Sequence, residues 1–161
     1  MTDIERIEHA RWILERNIAW IAQAEVKVAV IISLDAAMLS ALAAAYTANN
    51  SKTAWAILLS IMCGLVMLGA FISSFMVVKP RTGGPDTSYV FFGKIVMKKR
   101  DAFSDDFAKV TVEQYLRDLT DQIHRNAEIA CEKHGWVRLA AMWSFAAGAF
   151  WIPSVALLVK A

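Results

Sequence analysis

Residues Thr53 to Val78 read TAWAILLSIMCGLVMLGAFISSFMVV, 26 positions without one charged side chain. As a helix at 1.5 Å per residue this stretch is about 39 Å long, enough for the roughly 30 Å hydrocarbon layer of a bilayer. A buried helix of a water-soluble protein seldom stays apolar on every face for so long. Two further stretches share the pattern. Leu139 to Val159 carries no charge over 21 residues, and Val28 to Ala48 carries only Asp35 over 21. The chain therefore reads as an all-α membrane protein with three transmembrane helices, at 28–48, 53–78 and 139–159.

The rest of the composition agrees. The chain has 161 residues, is 57% hydrophobic and is only 20% charged. That much apolar surface excludes disorder. Two cysteines, Cys63 and Cys131, cannot staple a chain of this length. A net charge of +2 is too small a footprint for a nucleic-acid-binding protein. The first 25 residues alternate acids and bases, so no secretory leader is expected.

The basic residues orient the spans. Of 17 Lys and Arg, four precede the first span and eleven fall between the second and third, leaving Lys52 in the short hairpin and Lys160 at the end. The positive-inside rule then places the N-terminus and residues 79–138 in the cytosol. Cys63 lies within the bilayer and Cys131 on the reducing side, so neither needs a partner.

Residues 1–27 form a cytosolic amphipathic helix in this reading. Thr2 or Asp3 caps it, and Ile4, Ile7, Arg11, Leu14, Ile18 and Ile21 mark a heptad seam with one polar member. No Gly or Pro precedes Gly64, so this helix is expected to continue into the first span. Within the cytosolic region 79–138, Thr111 and Gln114 fit a capping box for a helix over 111–133. Its stripe is Val112, Leu116, Leu119, Ile123, Ala127 and Ala130. Gly135 marks an expected hinge before the third span. Two of the three spans are thus extended into a cytosolic helical bundle. Between its helices lie a Pro- and Gly-rich break at 79–86, a short extended segment over Ser88 to Met97, the basic run Lys98-Lys99-Arg100 and a short helix over 101–108.

Asp35 is the residue hardest to explain by packing. A carboxylate inside a membrane helix costs on the order of 3 kcal/mol on insertion scales and is read by default as part of a pore, a relay or a helix pair. The alternative is a neutral acid hydrogen-bonded to Ser33, Ser73 or Ser74. Ser60 and Gly64, and Ala140, Ser144 and Gly148, have the four-residue spacing that lets membrane helices approach closely, within or between protomers. Pro153 is a possible kink, and Trp55, Trp143 and Trp151 suit interfacial or packing roles.

A small anion would find donors and stacking faces in 79–100, where Arg81, Gly83, Gly84 and Lys94 accompany Tyr89, Phe91 and Phe92. The plainer reading makes these aromatics a small core and these cations partners of lipid headgroups. No P-loop, nucleophile elbow, zinc-protease motif or paired Cys motif is present, so the chain is not expected to be an enzyme, and no cofactor is expected. His9, His124 and His134 lack metal-ligand spacing.

Three blocks resemble one family. Glu15-Arg16-Asn17-Ile18-Ala19-Trp20-Ile21-Ala22, followed by Glu25, Lys27 and Asp35, is similar to the start of the transmembrane effector family of Pycsar antiphage systems. Tyr89-Val90-Phe91-Phe92-Gly93-Lys94-Ile95 resembles its central segment. Asp121-Gln122-Ile123-His124-Arg125-Asn126-Ala127-Glu128-Ile129-Ala130, with Lys133, resembles its third block. Together they cover residues 12 to 158 in order. The resemblance implies an effector in the bacterial inner membrane, activated by cyclic CMP or cyclic UMP from a partner cyclase. It then impairs the membrane and aborts infection. It implies no residue-level site. On physical grounds Arg81, Tyr89, Phe92, Lys94, Gln122, Arg125 and Asn126 are the candidate ligand contacts, and Asp35, Ser60 and Gly64 the candidate pore residues. The heptad faces suit a homo-oligomer. A constitutive small channel or transporter component lined by Asp35, or a membrane scaffold recruiting a cytosolic partner, remain the alternatives.

Overall fold

The computed structural model describes residues 1–160 and consists of five helices in that span. They are α1 (Asp3–Ala48), α2 (Ala54–Val78), α3 (Phe92–Ile95), α4 (Arg100–Ala108) and α5 (Val112–Lys160). Three of them, α1, α2 and α5, are long and apolar enough to cross a membrane. A span needs about 20 residues. With 46 and 49 residues, α1 and α5 have more than twice that.

Local chemistry sets the ends. Thr2 and Glu5 form a reciprocal capping box on α1, each backbone N–H donating to the other's side chain. Thr111 and Gln114 do the same for α5, at 3.0 and 3.2 Å. Thr53 Oγ1 accepts from the Ala56 N–H to start α2, which stops before Pro80. Helix α5 runs unbroken through both Gly135 and Pro153, so the hinge expected at Gly135 is a helical position.

Internal contacts divide the chain into two units. The first, the charged unit, contains residues 1–23 and 80–132; the second, the apolar unit, contains 24–79 and everything from Lys133 onward. Both α1 and α5 contribute to each.

The charged unit has a small core of Ala10, Leu14, Leu116 and Leu119, flanked by Ile7, Val90, Tyr115 and Ile123. The inward face of α1 here is Ile7, Ala10, Leu14, Asn17 and Ile21. This corrects the seam read from the sequence, because Ile4 and Ile18 are 70% and 51% exposed. The true seam keeps the 3-4 spacing but runs through a small residue and a polar one. Asn17 earns its burial by donating from Nδ2 to the Ile123 carbonyl at 3.1 Å. On α5, Val112 and Ala127 also fall outside the buried stripe, while Asp118 and Gln122 fall inside it.

Ser88 to Met97 is not a continuous extended segment. Ser88 Oγ accepts from the N–H groups of both Val90 and Phe91, which bends the chain, and α3 follows as a single turn. Phe91 lies against Gly84 and Gly93. A Cβ at either glycine would meet its ring at 2.5 and 2.7 Å.

The apolar unit packs α1, α2 and α5 through small residues. Ala24, Ala56, Ala70, Ala140 and Ala147 are all within 1% of complete burial, as is Val28. Two clusters fill it, one around Cys63, Met67 and Leu158, the other around Val28 and Val77. Small contact residues let helix backbones approach where lipid offers no hydrophobic drive to associate. Helices α1 and α5 run in the same direction here: Glu25 meets Lys133, Asp35 meets Ser144, Met38 meets Trp151 and Asn49 meets Leu158. The outer faces carry Leu34, Leu65, Leu68, Ile72, Phe75 and Phe145, all more than half exposed. Such faces suit hydrocarbon and not water.

Candidate functional site

The charged unit holds two adjoining hollows built on one loop, Asp86-Thr87-Ser88-Tyr89. The larger, about 590 Å³, is lined by Asp86, Thr87 and Tyr89 of that loop together with Pro85 and with Gln114, Arg117, Asp118 and Asp121 of α5. The smaller, about 260 Å³, lies against Lys94, Met97 and Lys98. The first has the size of small-molecule sites, about 300–1,000 Å³.

The loop is held by α5. The Tyr89 N–H donates to Asp118 Oδ2 at 2.6 Å, and Gln122 Nε2 donates to Ser88 Oγ at 3.1 Å. Tyr89 has Phe107 at its edge, with centroids 6.3 Å apart, and Lys98 Nζ 5.2 Å from its ring centre. Lys98 also pairs with Asp106 at 2.7 Å. That hydrogen bond raises the lysine above its ordinary range and holds the Asp106 carboxyl below its own. The wall is thus aromatic and cationic on one side and acidic on the other.

The structure brings only part of the expected set to these hollows. Tyr89 and Lys94 line them. Arg81 instead forms a two-pronged pair with Glu132, at 3.0 and 2.8 Å. Arg125 donates to the Gly83 carbonyl and pairs with Glu128. Asn126 donates to the Gln122 carbonyl, and Phe92 is 66% exposed with its ring against Phe91. No glycine has a positive φ, so the Gly83-Gly84 turn does not form an anion-binding nest of the αR-αL kind. Asp86, Gln114, Arg117, Asp118 and Asp121 were not among the ligand contacts expected from the sequence. One signal was available for Asp118: it precedes Leu119 and lies four before Gln122, on the edge of the α5 stripe.

In the apolar unit, Asp35 is completely buried and its Oδ2 lies 2.8 Å from Ser144 Oγ. Its partner is therefore Ser144 on α5, not Ser33, Ser73 or Ser74. Ser33 bonds back to the Ala29 carbonyl and Ser73 to that of Gly69. Ser144 Oγ also faces the Ala140 carbonyl at 3.0 Å. Ser60 bonds back to Ala56, and a Cβ at Gly64 or Gly148 would meet nothing within 4 Å. The close approach within the protomer is at Gly69, where a Cβ would stand 2.9 Å from the Trp143 indole.

The family model described as the Pycsar effector protein domain, PycTM, matches residues 9–160. The chain belongs to this family. It is a membrane protein and a Pycsar antiphage effector, as its three blocks suggested. No curated protein and no solved structure matches it. The matched region takes in both hollows, α2 and α5 whole and α1 from His9 onward, so the loop at 86–89 and the Asp35–Ser144 pair are parts of the Pycsar effector domain itself.

Proposed function

We propose that this Pycsar effector binds a cyclic pyrimidine nucleotide, cyclic CMP or cyclic UMP from a partner cyclase, at the Asp86–Tyr89 loop. Binding favours an oligomeric arrangement that impairs the inner membrane and aborts infection. The observation that carries the reading is the larger hollow in the charged unit. It has ligand size, an aromatic wall at Tyr89 and a cation at Arg117. A base stacks on Tyr89, and the phosphate meets Arg117 or, across the loop, Lys94. The ligand acts only through a difference in affinity between two arrangements of the protein. The charge asymmetry of the sequence supports a cytosolic location for this unit. The constitutive-channel alternative needs Asp35 open to water, and here it is sealed within one protomer.

The test is calorimetric titration of the full chain in lipid nanodiscs, beside dye release from liposomes. Wild type is expected to bind one of the two nucleotides and to release dye only in its presence. Tyr89→Ala is expected to weaken binding by about tenfold or more, the worth of one stacked base. Absence of both binding and nucleotide-dependent release, or release that needs no nucleotide, would overturn the reading.

A further inference from the structure

In the charged unit the inward stripe of α1 packs on α5 within the protomer, through Ala10, Leu14 and Asn17. The heptad face that suited self-assembly is therefore already occupied. Two further stripes flank it. Ile4, Glu8, Arg11, Glu15 and Ile18 follow 4-3-4-3 steps along one side, and Arg6, His9, Ile13, Arg16 and Trp20 follow 3-4-3-4 steps along the other. At 3.6 residues per turn these stripes lie about 100° to either side of the buried one. Every one of these side chains is exposed.

The flanks differ in charge. No ion pair or hydrogen bond holds the Glu8 or Glu15 side chain. Arg11 turns instead to Tyr115 of α5, donating from Nη2 to its phenol oxygen at 3.1 Å. What remains outward is an acidic flank with an isoleucine at each end. On the other side Arg6 has only the exposed Asp3, at 3.3 Å. Arg16 lies over the rings of Trp12 and Trp20 with no carboxylate. Beside this basic flank runs a groove of about 520 Å³ between α1 and α5. It is lined by Ile13, Leu116 and Ile123, together with Glu113 and Arg117, whose charges offset.

An occupant that fits the basic flank carries carboxylates between apolar side chains. The acidic flank of a second copy is such a surface. Copies inserted the same way in one bilayer are related by rotation about its normal, so equal residues stand at equal depth. The flanks cover residues 4–18 and 6–20, a shift of two residues or about 3 Å along the helix. Glu8 and Glu15 of one copy thus come level with Arg6, His9 and Arg16 of the next. A twofold pairing would set each flank against itself, like charge on like. Unlike flanks on opposite sides call for a head-to-tail ring. We propose that copies of this chain assemble in the membrane plane with the acidic flank of α1 in each seated on the basic flank and groove of its neighbour. This rests on the oligomeric part of the proposed function and names the surfaces that build it.

Charge exchange tests it. The full chain is released from nanodiscs and weighed by native mass spectrometry, with and without cyclic CMP or cyclic UMP. Nucleotide titration is run on the same samples. Wild type is expected to be oligomeric in at least one condition. Glu8→Lys with Glu15→Lys, or Arg6→Glu with Arg16→Glu, is expected to weaken self-association by roughly tenfold or more, because like charges then meet. All four substitutions in one chain, or an equal mixture of the two double variants, put unlike charges together again. Recovery of assembly in either supports the interface and shows that the variants fold. Wild type that is monomeric in every condition would overturn the inference while leaving the nucleotide site standing. So would wild-type assembly by either double variant, or recovery in neither the mixture nor the fourfold variant. A wild type that assembles and obeys the exchange but binds no nucleotide would support the ring and overturn the nucleotide site alone.

Discussion

The two units solve the same problem with different materials. In the charged unit the apolar core is four residues deep, and much of the order comes from polar side chains reaching backbone groups: Asn17 to Ile123, Asp118 to Tyr89, Arg125 to Gly83. In the apolar unit the core is alanine, serine and a few large side chains. Four polar links tie α1 and its end to α5 there, and large hydrophobic residues cover the outside. The difference teaches where burial is a driving force. In water, removing Leu119 from solvent is itself stabilising. In lipid, Met67 gains only tighter packing when it leaves hydrocarbon for the helix interface.

The largest expected effect follows from that contrast. Leu119→Ala should cost about 2–5 kcal/mol, transfer and cavity together. Met67→Ala, equally buried, should cost less than that range, because only the packing part is lost. Denaturant unfolding in micelles measures both. Equal costs would break the comparison.

A second pair sharpens it within the apolar unit. Gly69→Leu should destabilise by about 1–3 kcal/mol as its side chain meets Trp143. Gly64→Ala meets nothing and should stabilise α2 by up to about 1 kcal/mol through helix propensity. If Gly64→Ala leaves unfolding intact but abolishes nucleotide-triggered dye release, Gly64 acts between protomers.

The smallest effect belongs to the exposed Lys98–Asp106 pair. Asp106 is held below its ordinary range, so its contribution is complete above that range and fades as pH falls through it. Lys98 is raised, so its contribution is complete below the ordinary lysine range and fades above it. Between roughly pH 5 and 9 the pair adds a constant amount, and solvent screens it. The difference in melting temperature between Lys98→Ala and wild type should therefore stay constant across that window. A sloping difference would show the pair to be more than a surface contact.

Much of the fold was legible because bilayers act on composition. The charge-free run from Thr53 to Val78 needs no knowledge of partners to be read as a span. The caps at Thr2 and Thr111 are equally local and formed as expected. What depended on partners was harder. Ala10 and Asn17 look like poor core residues until Leu116 and the Ile123 carbonyl stand opposite them, so hydrophobicity favoured Ile4 and Ile18 instead. The same applies to the site. Arg81 and Arg125 looked available for a phosphate because nothing in the chain near them announces Glu132 and Gly83 as partners. Asp118 looked like one more helix-surface acid, and only the fold shows that one of its oxygens is spoken for and the other is not.

Cys63 is buried in the apolar unit, its thiol directed at the Ala147 carbonyl, while Cys131 is exposed in the charged unit. The protein thus comes with one reactive handle already in place. A fluorophore coupled there by maleimide chemistry would report on the unit that carries both hollows without altering a single residue. The nucleotide response could then be followed in the unmutated chain as it sits in lipid.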